Sequence, residues 1–239
     1  MEEITVSLGT NLVSANERMT SISLIELYER IAHANSAFIN QIEVLRSIYQ
    51  MDGNKYTLMK KSLPYIVCAH FEPGFRRLEN FTSVSSFVLD IDKVDEDSIT
   101  LDELRNALDK DERIALMFTS PSGCGLKLLF LLDKPCLDYN VYSTFYKQFA
   151  SDFAKEYHIE AFVDLRTNDV TRACFLSADE QATFNPTAIA IHWEDYVNLE
   201  SVDLFVKENQ VPTINLEPAT DCSLPLVSNI EPDKETMAK

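Results

Sequence analysis

Between Ser21 and Gln50 the apolar positions recur at helical spacing: Leu24, Leu27, Tyr28 and Ile31, then Phe38, Ile42, Leu45, Ile48 and Tyr49. Residues three and four apart share one helix face, so this run predicts helix. Asn35-Ser36 predicts a break into two helices, and Asp52-Gly53-Asn54 predicts a loop. Shorter apolar runs follow. Pro64 opens a short strand, Tyr65 to Ala69, and a loop from Phe71 to Asn80 carries Gly74, Arg76 and Arg77. Ser85 to Ile91, Ile114 to Phe118 and Leu126 to Leu132 read as strands, with a helix from Thr100 to Leu108 capped by Ser98 or Thr100. From Tyr139 to Tyr157 the aromatics Tyr142, Phe145, Tyr146, Phe149 and Phe153 return at helical spacing, the mark of a packed face rather than a platform for bases. Phe162 to Asp164 and Arg172 to Leu176 read as short strand pieces.

Strands interleaved with helices imply a sheet domain of the α/β or α+β kind, and α+β is the expected class. The expected organisation is an N-terminal helical segment over 1–54, packed on an α/β core over 55–200. The pattern fades after Glu200. The tail from 201 to 239 holds Pro, Thr, Ser, Asn and acids without periodicity, which predicts a flexible linker.

Composition narrows the classes. The chain has 239 residues, 46% of them hydrophobic, enough to bury a substantial core, while 5 Gly and 9 Pro exclude a fibrous or low-complexity protein. No apolar run reaches about 18 residues, so no membrane span is expected. The opening Met-Glu-Glu-Ile lacks the basic and apolar regions of a signal peptide. Five cysteines, widely spaced and without CxxC, argue against a disulfide framework or a zinc site and point to the reducing cytoplasm. The net charge of −17 opposes non-specific nucleic-acid binding. A polyanion would need a local basic patch or bound metal ions.

Three segments can carry chemistry. In Phe87-Val-Leu-Asp-Ile-Asp-Lys93 the carboxylates of Asp90 and Asp92 stand two apart at a strand end, on one face. Such a pair repels itself unless a cation lies between, and hard oxygen donors suit Mg²⁺ or Mn²⁺. In Ser120-Pro-Ser-Gly-Cys-Gly-Leu-Lys127, Gly123 and Gly125 permit tight backbone, Ser120 and Ser122 add hydroxyls, and Lys127 could reach a phosphate. The spacing is not that of a Walker A loop. The stretch Phe162 to Arg172 supplies Asp164, Arg166, Asp169 and Arg172, a further metal ligand and a phosphate-binding Arg among them. Each segment alone also has an ordinary reading: solvated acids, a hairpin turn, a charged loop.

Together the three follow a known order. They resemble the archaeo-eukaryotic primase superfamily: acid-x-acid at a strand end (Asp90, Asp92), a Ser/Gly turn leading to a basic residue (Ser122 to Lys127), then an apolar residue plus Asp (Val163-Asp164). The match is closer to the primase-like N-terminal domain found with helicase or VirE-type domains in bacterial mobile elements. It rests on Lys61-Ser-Leu-Pro64, Leu89 to Lys93, Ser120 to Lys127 and Asp169-Val-Thr-Arg-Ala-Cys-Phe-Leu-Ser-Ala-Asp179. The resemblance implies an RRM-like mixed sheet flanked by helices. It implies Asp90, Asp92 and Asp164 as catalytic metal ligands for Mg²⁺ or Mn²⁺, and Ser120, Ser122, Gly123, Gly125, Lys127 and Arg172 as the nucleotide site. Lys127 stands where many members have a His that contacts the nucleotide phosphates, a departure that would weaken polymerisation or alter nucleotide choice while keeping the positive charge. Arg172 would bind phosphate or pair with Asp169, and Asp179 would cap a turn.

The implied activity is nucleotidyl transfer from NTP or dNTP on a single-stranded DNA template, in replication of a mobile element, with a helicase domain or subunit as partner. Lys55, Lys60, Lys61, Arg76 and Arg77 are the candidate nucleic-acid patch, or simply two solvated loops. The alternative is a catalytically degenerate nucleotide- or DNA-binding module partnering a helicase. A metal-dependent nuclease and a purely structural domain are further readings. His33, His70, His158 and His192 do not cluster, and Cys124 has no visible base beside it.

Overall fold

The structure, a computed structural model, describes residues 4–14, 16–94, 99–165 and 167–197. The expected linker over 201–239, the alternative cap Ser98, Arg166 and Cys222 lie outside the described residues. In chain order the elements are β1 (Thr5–Gly9), β2 (Thr20–Ser23), α1 (Leu24–Ala32), α2 (Ser36–Met51), α3 (Gly53–Lys60), β3 (Tyr65–Val67), β4 (Ala69–Phe71), β5 (Phe81–Ile91), α4 (Leu101–Leu108), β6 (Ile114–Thr119), β7 (Leu126–Cys136), α5 (Tyr139–Glu156), β8 (Cys174–Phe175) and β9 (Thr183–Phe184). The class is α+β, with two antiparallel sheets. One runs β2-β1-β3-β8, the other β4-β5-β7-β6-β9.

Local chemistry sets the helix ends. Ser23 caps α1 by accepting from the Glu26 amide, and Asn35 caps α2 by accepting from Phe38. The break expected at Asn35-Ser36 is therefore a capped helix start. Asp52 works twice: its amide closes α2 on the Ile48 carbonyl, and its carboxylate accepts from the Asn54 and Lys55 amides to open α3. The expected loop over Asp52 to Asn54 is thus a corner between helices. Thr100 and Glu103 form a capping box that starts α4.

The expected helical segment over 1–54 is strand at its start. β1 pairs with β2 and with β3, so residues before Leu24 build a sheet. The expected strand over Tyr65 to Ala69 divides at Cys68: β3 stays in the first sheet, and β4 enters the second by pairing with β5. That crossing ties the sheets together.

Alternation along β5 places the two sides. Phe87, Leu89 and Ile91 face α5, where Phe87 meets the rings of Phe130 at 5.2 Å, Phe145 at 5.1 Å and Phe149 at 5.0 Å. Tyr142, Phe145, Tyr146, Phe149 and Phe153 are all buried, so the aromatic stripe of α5 is a packed face. The opposite side packs on the first sheet and α1, through Val6, Ile22, Leu27 and Ile66 against Leu116, Phe118 and Leu129. α2 and α3 close over one end through Ile42, Leu45, Tyr56 and Leu63, with Phe175 and Ala178 beside them. Asp90 lies on this second side, at that end.

Candidate active site

β5 pairs with β7 so that Asp90 stands opposite Lys127, and Ile91 opposite Leu126. On its other side β5 meets the 162–164 segment through the Ile91–Val163 bridge. The Asp92 amide donates to the Phe162 carbonyl (2.8 Å) and the Asp164 amide to the Asp90 carbonyl (3.3 Å). Cross-strand neighbours share a face. The register therefore lines up Lys127, Asp90 and Asp164 across three neighbouring segments, with Asp92 two residues further along the same face. The three expected acids are brought to one side of one strand end.

Lys127 holds Asp90. Their side chains form an ion pair, with the Lys127 side chain 4% exposed and that of Asp90 16%. Burial alone would favour loss of the ammonium proton, but Asp90, helped by Asp92, outweighs it and raises the group above its ordinary value. Lys60 lies in the same place. Burial and then the Lys127 charge push its ammonium down, against the pull of Asp90 and Asp92. Its Nζ sits 5.2 Å from the Phe175 ring centre and 5.7 Å from that of Tyr56. Lys60 is thus a site lysine rather than part of an outer patch.

The turn between β6 and β7 is bonded within itself. The Ser120 amide donates to Gly125 (2.9 Å) and the Gly123 amide to Ser120 (3.0 Å). The Cys124 amide reaches the Ser122 hydroxyl at 3.3 Å, and the Ser120 and Ser122 hydroxyls bond each other at 2.9 Å. The amides of Gly123 and Cys124 are therefore already used. Positive charge beside this turn comes from side chains: the Lys127 ammonium, and the Arg46 guanidinium packed on Gly123. Gly123 adopts φ +80°, a left-handed conformation that favours glycine. At Gly125 a Cβ would fall 2.1 Å from the Ile91 carbonyl oxygen. This glycine lets the turn lie against the acid-bearing strand, where the Val94 amide also reaches the Cys124 carbonyl at 3.0 Å.

Further residues join the site from sequence positions that gave no warning. Arg46 packs on Gly123, and its Nη2 reaches Ser177 and Ala178 at 3.4 Å. Burial pushes the Tyr56 phenol up to about 12, against the pull of Lys127 and Ser122. Burial, then Cys124 and Asp92, raise the Tyr49 phenol. From α5, the Tyr146 hydroxyl reaches the Val88 carbonyl (3.2 Å) and bonds the Thr167 hydroxyl, which donates to the Asp164 carbonyl (2.8 Å). Asp179 does cap its turn by accepting from the Gln181 amide (3.0 Å). It also accepts from the Thr119 amide (2.6 Å) and pairs with buried Arg105 (2.7 Å), which fixes the entry to the Ser/Gly turn.

The other expected residues are dispersed. Arg76 stacks 5.4 Å from the Tyr65 ring centre and donates to the Thr171 carbonyl (3.0 Å), a bracing role. Arg77 lies over Phe75 and near Glu79. Lys55 and Lys61 are exposed on and beside α3. Arg172 is exposed, and the carboxylate of Asp169 is taken by Thr171 instead.

Among the described residues no three His, Cys, Asp or Glu side chains are gathered as they would be around a bound ion. The donors nevertheless fit Mg²⁺ or Mn²⁺ in kind, as hard carboxylate oxygens, and in placement on one face. Asp90 is already paired with the Lys127 ammonium.

Residues 58–184, more than half of the chain, match the family described as BT4734-like, N-terminal domain. The chain belongs to this family. The matched stretch carries Asp90, Asp92, Asp164, the Ser/Gly turn, Lys60 and Lys127, whereas Arg46, Tyr49 and Tyr56 precede it. No curated protein matches the sequence. A solved structure, the AEP domain of the cyanophage S-2L primase-polymerase (PrimPol), is similar at 12% identity, covering 81% of this chain and 87% of that chain, with a TM-score of 0.41. Among the described residues no helix is long and apolar enough to cross a membrane.

Proposed function

We propose that this domain is a primase-polymerase-like nucleotidyltransferase that takes NTP or dNTP with a divalent metal at the Asp90–Asp92–Asp164 face and copies single-stranded DNA. The observation that carries the reading is the register that sets these three acids beside buried Lys127 and the Ser/Gly turn, with half-buried Lys60 near them. Asp90, Asp92 and Asp164 would hold Mg²⁺ or Mn²⁺, which when bound would offset triphosphate charge and activate an attacking hydroxyl. Lys60 and Lys127 supply positive charge for the phosphates. Ser122 offers a hydroxyl beside them, and Gly125 keeps the turn close to the acids. Tyr49 and Tyr56 wall the site on the α2–α3 side and limit water there. Action in mobile-element replication, in the cytoplasm and beside a helicase, belongs to the same reading.

A second reading keeps nucleotide or DNA binding and drops synthesis, leaving a module that serves a helicase. The Asp90–Lys127 pair and the self-bonded turn favour it. One assay separates the two: incorporation of labelled dNTP or NTP on primed and unprimed single-stranded DNA, with Mg²⁺ or Mn²⁺, by wild type and Asp92→Ala. Asp92 is exposed, so the variant keeps the fold. Synthesis by wild type that is lost in Asp92→Ala supports the enzyme. Binding without synthesis in either protein supports the module, and undiminished synthesis by Asp92→Ala removes the acid site from the mechanism.

A further inference from the structure

We propose that Lys127 is an exchangeable counter-ion of this cleft: it neutralises Asp90 until a nucleoside triphosphate arrives, then passes to the phosphates as a divalent cation takes Asp90. The proposal rests on the reading of the cleft as a nucleotide site and adds how its two ligands are coupled. Metal and nucleotide would bind together, each poorly without the other.

Three observations carry it. Lys127 is buried, and its ammonium is committed to Asp90 across the β5–β7 pairing. A dication that took Asp90 alone would leave this ammonium buried without its anion, beside the second ammonium of Lys60. Burying an unpaired charge is strongly unfavourable, so metal alone competes badly. The turn next to Lys127 cannot meet a phosphate with the Gly123 and Cys124 amides, which are already bonded. An arriving anion therefore calls on side-chain cations: Lys127, Lys60 and the Arg46 guanidinium packed on Gly123. Lys127 lies two residues beyond Gly125, and its flexible four-carbon stem lets the ammonium swing from Asp90 toward the turn. Two ligands that each relieve the same ion pair show positive coupling, which is reciprocal.

The test measures binding rather than synthesis. Mn²⁺ is titrated into wild type and Lys127→Met, without nucleotide and with a non-hydrolysable dNTP analogue. Lys127→Met should bind Mn²⁺ alone about tenfold more tightly than wild type, and the tightening produced by the analogue should shrink. Unchanged or weaker Mn²⁺ binding by the variant overturns the proposal. A converse pair keeps the test open if Lys127→Met does not fold: analogue binding in EDTA by Asp90→Asn and Asp92→Asn. Both remove one negative charge, but only Asp90→Asn releases Lys127, so it should bind the analogue severalfold more tightly than Asp92→Asn. Equal affinities overturn the exchange while leaving the nucleotide site standing. Absence of analogue binding in every protein, with and without Mn²⁺, removes the nucleotide reading and the exchange with it.

Discussion

Asp90 and Lys127 stand directly opposite each other on β5 and β7, and their side chains form an ion pair beneath the α2–α3 corner. A buried pair of this kind contributes little over apolar packing, but breaking it is costly, because the survivor keeps its charge without water. Lys127→Ala should therefore lower stability by about 3 kcal/mol, near the lower end of the range for buried pairs because Asp90 is partly exposed. The double variant Asp90→Leu/Lys127→Met should recover most of that loss. Urea unfolding at pH 7 measures both. A double variant as unstable as Lys127→Ala would show that packing, not charge, dominates here.

Gly125 and Gly53 look alike in sequence and should behave in opposite ways. A Cβ at Gly125 would fall 2.1 Å from the Ile91 carbonyl oxygen and 3.2 Å from the Asp92 Cα, both backbone atoms that cannot turn aside. Gly125→Ala should cost about 2–3 kcal/mol by overpacking and should push the turn off the acid-bearing strand. Gly53 starts α3 with nothing within 4 Å of a Cβ. Gly53→Ala should be neutral or stabilising by up to about 1 kcal/mol, since it restricts the unfolded chain. Thermal unfolding of the two variants side by side decides the matter, and equal losses would contradict the close approach at Gly125.

The Asp179 clamp gives a pH dependence. Burial tends to raise this carboxyl, but the Thr119 amide and Arg105 outweigh burial and hold it below its ordinary value of 3.8. A carboxylate depressed in the folded state contributes stability that is fully present above 3.8. That contribution is lost as pH falls through the lower folded-state value. Wild type should lose stability steeply below about pH 4, and Asp179→Asn should show a flatter acid limb from a lower starting point. Denaturant midpoints between pH 7 and pH 2.5 provide the check. Parallel curves would mean that Asp179 does not carry the charge of this clamp.

Local signals were legible in the chain, and pairings between distant segments were not. The break at Asn35-Ser36, the Thr100 start and the α5 stripe each rest on interactions within about one or two turns. β1 escaped because it lies between β2 and β3, the latter more than fifty residues on. α3 escaped because it buries only Tyr56 and so has almost no apolar face. The three acids were legible from spacing and order, and the register brings them to one face. Lys127 was legible as a site residue, but its pairing with Asp90, 37 residues away, was hidden, as was the approach of Arg46 to the turn at residue 123. The one available signal for Lys60 and Tyr56 was their place in a helix that runs toward the site, and that helix read as a loop and a basic run.

The basic residues that the sequence groups into one candidate nucleic-acid patch should separate by function. Lys55 and Lys61 are exposed at α3 and remain candidates for template binding, whereas Arg76 stacks on Tyr65 and bonds the Thr171 carbonyl. If Lys55 and Lys61 meet phosphates of single-stranded DNA, each change to Ala should reduce the slope of log K against log salt by about 0.7, since binding with one fewer neutralised phosphate releases fewer counterions. Arg76→Ala should instead lower stability by about 1–3 kcal/mol, the cost of a buried acceptor and ring left without their partner, with the salt slope unchanged. Fluorescence anisotropy over a salt series, paired with urea unfolding, reads both quantities. A slope that fell only in Arg76→Ala would move the template path away from α3 and onto the loop between β4 and β5.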